Sequence, residues 1–278
     1  MSIRENVRVF TGEFVGTFLL VFIGTSSVAV SVLFNGLIGL FQVAAVWGLG
    51  VTLAIYATRY LSCAHLNPAV SLGMVLAKRM RFRLLILYWF AQLLGGIGAG
   101  IMVYLLFHNA ILNFETAHNI VRGEPNSVIT AMFFGEYFPN PNIPVSWLKV
   151  SMQTAMLTEG LGTFILVLMI FLLTEGCNLG KPSESSSPVF IGATVSTLIA
   201  ITAPITQTGI NPARDFGPRI VAYFAGWGSI AIPGPKSGFF WVYIFSPLLG
   251  GSAAAFLFRF FIEPLMSNRQ ILPLMCKK

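Results

Sequence analysis

Charge is scarce in this chain: Asp, Glu, Lys and Arg make up only 10% of its 278 residues, against 55% apolar ones. A soluble fold of that composition would carry more apolar side chains than its core could hold, so a mean hydropathy of +0.78 points to the bilayer as solvent. Cysteine is sparse too. Cys63, Cys177 and Cys276 form an odd set with neither metal-ligand spacing nor a disulfide framework, so no metal or cofactor is expected. Of the three histidines, His108 and His118 stand alone. His65 could serve as a base and Cys63 as a nucleophile, but no Ser/His/Asp set, His-Glu-x-x-His motif or phosphate loop accompanies them. An enzyme is therefore not expected, and His65 reads as packed or pore-lining. No cleavable signal is evident, because the first apolar run has full span length and carries Glu13. The net charge of +7 needs no nucleic-acid partner, since such cations can rest against anionic headgroups.

What the chain does have is long apolar runs. Six of them, over about 9–33, 37–57, 84–107, 147–173, 189–205 and 239–262, are long enough to cross ~30 Å of hydrocarbon as helices. They form a repeat. Glu13-Phe14-Val15-Gly16-Thr17-Phe18 recurs as Glu159-Gly160-Leu161-Gly162-Thr163-Phe164, Asn67-Pro68-Ala69 recurs as Asn211-Pro212-Ala213, and Leu93-Leu94-Gly95-Gly96 recurs as Leu248-Leu249-Gly250-Gly251. One Asn-Pro-Ala is expected by chance in roughly one chain in twenty of this length. Two in register mark an internal duplication.

Three spans per repeat invert the second copy relative to the first, which places the working site at the repeat interface. Repeat one is read as about 9–108 and repeat two as about 147–262 of a single membrane channel domain, 1–278. Segment 109–146 is richer in Pro, Asn and Glu and is expected outside, shaping a vestibule. The Ser-rich stretch within 174–188 reads as a cytoplasmic linker. Arg4, Arg8, Arg59, Lys78, Arg79, Arg81, Arg83, Lys181, Arg259, Arg269, Lys277 and Lys278 fall on one side; Arg122, Lys149 and Lys236 fall on the other. The positive-inside rule then puts both termini in the cytoplasm.

Each Asn-Pro-Ala opens an apolar helix, about 67–77 and 211–224, too short to cross the membrane. Asn is a favoured N-cap and Pro fits the first helical position. In inverted repeats the two half-helices dip in from opposite faces and meet N-terminus to N-terminus. Irregular backbone at that depth is tolerated only when buried in protein or lining a wet cavity, so a pore is implied. Cys63, Ala64 and His65, with Gln207, Thr208 and Gly209, are expected to offer carbonyl acceptors along it, with the Asn67 and Asn211 amides as mid-pore donors. Two facing helix N-termini disfavour cations and protons. Arg214, one turn beyond Asn211, is read as an unpaired guanidinium whose donors suit hydroxyl or carbonyl oxygens and whose charge adds a cation barrier. Glu13 and Glu159 are expected to accept backbone N–H bonds from the loop of their own repeat; proton coupling is the rival reading.

Together these pieces resemble the aquaporin family, and its aquaglyceroporin or glycerol-facilitator branch in particular, over about residues 13–261. The resemblance rests on Ala64-His65-Leu66-Asn67-Pro68-Ala69-Val70 and on Asn211-Pro212-Ala213-Arg214-Asp215-Phe216-Gly217-Pro218-Arg219. Asp215 after the pore arginine is the glycerol-type mark. Ile120-Val121-Arg122-Gly123, Tyr137-Phe138-Pro139-Asn140-Pro141 and Ala225-Gly226-Trp227-Gly228 look like glycerol-facilitator loops. The resemblance implies an all-α membrane protein of six transmembrane helices plus two re-entrant half-helices, assembled as a homotetramer with a pore in each subunit of the cell membrane. It also gives Asp215 a supporting role and maps the narrow filter onto Trp47, Ile199, Thr208 and Arg214. Ile199 stands where the branch usually has Gly, Thr208 where a bulky aromatic is common, and Gln207 where Gly is usual. Ile199 is expected to supply the apolar wall that the missing ring would have made. Glycerol, other small polyols, urea and water all remain candidate solutes, with a remodelled filter or a proton-coupled transporter as the alternatives.

Overall fold

A backbone surrounded by lipid must satisfy its own hydrogen bonds, so long apolar runs become helices. The computed structural model describes residues 2–143 and 147–267, and the regular structure among them is helical throughout. Arg269, Cys276, Lys277 and Lys278 of the charge and cysteine readings, and 144–146 of the outer segment, lie outside the described residues.

Helix α1 (Ile3–Phe34) is followed by α2 (Leu40–Ser62), the short α3 (Pro68–Leu76) and α4 (Leu85–Ala117). After one turn, α5 (Val128–Ala131), come α6 (Met152–Thr174), α7 (Ser187–Thr206) and the short α8 (Pro212–Ala222). The last span, Phe240–Met266, opens with wider π turns, continues as α9 (Ser246–Leu257) and passes through a second π segment into α10 (Glu263–Ser267). Six of the described helices are long and apolar enough to cross a membrane, and α3 and α8 are the two half-length pieces.

Several helix ends differ from the sequence reading, two of them by six residues or more. Helix α1 begins six residues before its apolar run because Ser2 and Glu5 form a capping box: the Glu5 N–H donates to Ser2 Oγ at 3.2 Å and the Ser2 N–H to Glu5 Oε2 at 2.7 Å. Helix α4 runs ten residues past the expected end at 107. A helix need not stop where hydrocarbon stops, and nothing breaks this one before Asn119 turns left-handed at φ 52°. The outer segment then folds inward rather than lying on the surface, burying Phe133, Phe134 and Tyr137.

Glycine sets the packing. In each repeat the first glycine of Leu-Leu-Gly-Gly lets the third long helix touch the first: a Cβ on Gly95 would lie 2.5 Å from Phe14 O, and one on Gly250 2.0 Å from Gly160 O. The second glycine faces the other repeat. A Cβ on Gly96 would lie 2.6 Å from Ala213 O in α8, and one on Gly251 2.9 Å from Ala69 O in α3. Each half-helix is therefore seated on the last long helix of the opposite repeat, α8 on α4 and α3 on α9. Helices α2 and α7 close the seam where Gly48 and Gly192 meet, each leaving no room for a Cβ on the other.

Candidate functional site

The loops ahead of the two half-helices are built alike. Cys63, Ala64 and Leu66 have φ of 69°, 52° and 54°, and Gln207, Thr208 and Ile210 have 59°, 70° and 42°. These stand four, three and one positions before Asn67 and Asn211, and none is glycine. A left-handed L-residue costs roughly 1–2 kcal/mol, so the conformation needs fixing from outside.

A buried carboxylate does this in each repeat. Glu13 accepts from His65 N–H at 3.0 Å and Leu66 N–H at 2.8 Å, and also from Ser62 Oγ and Gln92 Nε2, both at 2.6 Å. Glu159 accepts from Gly209 N–H at 2.9 Å and Ile210 N–H at 2.6 Å. The repeated tyrosines add a second tie, Tyr88 OH donating to Ser62 O and Tyr243 OH to Thr206 O. Apart from His65, which is partly exposed, these groups sit in buried positions where a lost partner is expensive.

The half-helices meet at their N-termini. Asn67 Nδ2 donates to Ile210 O at 2.9 Å, and Asn211 Nδ2 donates to Leu66 O at 2.8 Å, so each asparagine is bonded to the loop of the other repeat. Their Oδ1 atoms cap the helices, accepting from Ala69 N–H at 2.9 Å and from Ala213 and Arg214 N–H at 3.1 and 3.2 Å. With the amide orientation fixed at both ends, the second N–H of each Nδ2 remains as a donor.

A cavity of about 460 Å³ runs past this junction. Its wall includes Asn67 and Asn211, the predicted filter residues Trp47, Ile199, Thr208 and Arg214, and Cys63, Ala64, His65 and Gly209 of the residues expected to offer carbonyls. Trp47 and Arg59 both line it; twelve residues apart on α2, they span about 18 Å of its length. Gln207 is not on this wall. Its side chain turns to the outer segment instead, accepting from Tyr137 N–H at 2.9 Å and donating to Met132 O at 3.2 Å.

Among the predicted filter residues, the Arg214 guanidinium lies over Trp47, 4.1 Å from the ring centre. Ile199 and Trp47 belong to one apolar cluster, and Thr208 Oγ1 pairs with Thr202 Oγ1 at 2.7 Å. Gly24 makes the room for Trp47, since a Cβ there would sit 2.1 Å from the indole. One expectation is corrected: Arg214 is not unpaired. Its Nη1 forms an ion pair with Glu136 Oε1, and both side chains are at most 5% exposed. Asp215 in turn holds Arg219 at 2.9 Å through both carboxylate oxygens and accepts from the Glu136 N–H at 2.6 Å.

Sequence reasoning missed Gly24, Thr202 and Glu136. Gly24 has Ile170 at the matching place of the second repeat, and Glu136 lies outside both repeats, so the duplication drew attention to neither.

Six spanning helices, two opposed half-helices and a largely apolar cavity with a few polar groups between inverted repeats define a multi-pass membrane channel fold. The family model described as Major intrinsic protein matches residues 1–258, and the chain belongs to that family. It is 39% identical over 249 residues to the glycerol uptake facilitator protein of Haemophilus influenzae, covering 89% of this chain and 91% of that protein. It is 37% identical over 251 residues to a propanediol uptake facilitator of Citrobacter freundii, covering 90% of each. The X-ray structure of the aquaglyceroporin from Plasmodium falciparum superposes with a TM-score of 0.79 at 29% identity, over 94% of this chain and 98% of that one.

Proposed function

We propose that this protein is a passive channel that lets glycerol or similar small neutral polyols diffuse across the cell membrane, with some water, while excluding protons and ions. It performs no covalent step. It works as a homotetramer with a conduit in each subunit and both termini in the cytoplasm. The observation that carries the reading is the pair of crosswise-bonded asparagines on the wall of a long cavity, with the filter residues also on that wall. Their free N–H groups suit hydroxyl oxygens, and the positive ends of two half-helices disfavour cations there. Trp47 and Ile199 give the filter an apolar side and Arg214 a donor side, which suits a linear polyol whose carbons lie on one side and hydroxyls on the other. The relatives named as glycerol and propanediol uptake facilitators support the same solute class.

Stopped-flow swelling of proteoliposomes across a panel of neutral solutes tests this. Glycerol flux should scale with its gradient and ignore imposed proton and sodium gradients; dependence on either gradient would mean a coupled transporter. Within the filter, Ile199→Gly should raise permeability to bulkier polyols and Thr208→Phe should lower water flux relative to glycerol. Unchanged selectivity in both variants would reject these positions as filter residues.

A further inference from the structure

We propose that Glu136 belongs to the constriction beside Arg214, where its carboxylate cancels the guanidinium charge and offers a passing polyol hydroxyl an acceptor. This rests on the channel reading above and adds a charge pair to it. Three observations carry it.

The segment holding Glu136 needs nothing from that side chain to stay in place. The Glu136 N–H donates to Asp215 Oδ1 at 2.6 Å, its carbonyl accepts from Arg219 Nη2 at 2.5 Å, and the next N–H, of Tyr137, donates to Gln207 Oε1. Gly135 adds a fourth constraint, because a Cβ there would come within 2.7 Å of the Arg219 guanidinium. A carboxylate kept only as a tether would be redundant.

The charges also close. Arg214, Arg219, Asp215 and Glu136 are each at most 5% exposed, two of either sign. Asp215 is bonded by Arg219 and by the Glu136 N–H, and among the described residues Glu136 holds the carboxylate ion-paired with Arg214. Without it the filter would carry an uncompensated buried cation, which is costly to hold and grips solute oxygens too tightly to release them.

The second oxygen is the third observation. Glu136 Oε2 is buried and has no hydrogen-bond donor among the described residues. Native proteins rarely leave such an acceptor idle. Arg214 belongs to the wall of the long cavity and Glu136 to the wall of a second cavity of about 460 Å³, so the ion pair links a residue of one wall to a residue of the other. In this proposal a diol held at Arg214 finds the Glu136 carboxylate beside its donor. One hydroxyl can accept from Arg214 while its neighbour donates to Glu136.

The test uses full-length protein in proteoliposomes, with glycerol, water and potassium fluxes measured on Glu136→Gln, Arg214→Leu and the double variant. Glu136→Gln should lower the glycerol-to-water flux ratio about tenfold, the loss of one hydrogen bond to a charged group. Arg214→Leu leaves a bare carboxylate at the constriction and should raise potassium flux at least tenfold; adding Glu136→Gln should abolish that leak. A leak that persists in the double variant, no leak in Arg214→Leu, or a Glu136→Gln channel in which both fluxes fall together at constant ratio would overturn the proposal. Should Glu136→Gln fail to assemble, Glu136→Asp, which withdraws the carboxylate by one methylene, should lower the ratio in the same direction, and an unchanged ratio would reject it. If the wild type carries no glycerol at all, the polyol reading fails, while the potassium arm still reports on Glu136.

Discussion

At the scale of single residues, the seat of Trp47 depends on a side chain that is absent. Trp47 lies flat against α1 at Gly24, and a methyl group there would overlap the rigid indole, which has no flexible end to swing away. Gly24→Ala should therefore push Trp47 toward Arg214 and the cavity, cutting glycerol flux more than tenfold and costing about 1–3 kcal/mol of stability as an overpacked core site. Flux and thermal unfolding of the purified variant check both. This kind of dependence was not legible beforehand, because a lone glycine in an apolar run has no periodic or chemical mark. Asn67, Asn211 and Arg214 were legible, since Asn-Pro is a helix start wherever it occurs and an arginine in an apolar segment calls for an explanation. What the sequence withheld was the arginine's partner. Glu136 is 78 positions away in a segment read as a vestibule wall, and only the folding of that segment into the bundle brings it to the guanidinium.

At the scale of elements, two glycines in one stretch of α4, Gly96 and Gly98, do different work. Gly96 touches the backbone of α8, whereas a Cβ on Gly98 would meet only the Phe18 and Phe14 rings at 3.5 Å or more, an ordinary contact. Gly96→Ala should thus separate α4 from the second half-helix and lower both stability and flux. Gly98→Ala should stay within about 0.5 kcal/mol of wild type and conduct normally. Equal behaviour of the two variants would contradict the packing described. The long helices themselves could be placed from hydropathy alone, because a bilayer fixes how many apolar residues a span needs. Their true ends could not. The Ser2–Glu5 capping box and the extension of α4 to Ala117 lie beyond the apolar runs, where length in lipid says nothing.

At the scale of the whole molecule, the chain is clipped together on the side where α3 ends. Arg79 pairs with Glu175 at the end of α6 and reaches Glu263 of α10 at 3.4 Å, joining three distant parts of the sequence. Burial pushes the Glu175 carboxyl up, but the Arg79 guanidinium and the Cys177 and Gly176 N–H groups outweigh it and hold the group below the ordinary carboxylate range. A depressed value in the folded state means that this contribution is complete above the unfolded value of about 4.3 and disappears as pH falls through the folded one. Thermal stability in detergent should accordingly be insensitive to this group from pH 8 to about 5 and fall below roughly pH 4. In Glu175→Gln that acid-induced part of the fall should be missing; an identical acid profile would show that the clip contributes nothing.

The crosswise seating of α3 and α8 carries one last implication. Each loop hangs from a glutamate of its own repeat, yet the stub that follows it leans on the far repeat's glycine. Halving the chain would not leave half a passage, because each portion keeps the hook and loses the ledge. The lumen is a joint possession of both copies, so neither could drift from its twin without opening the wall.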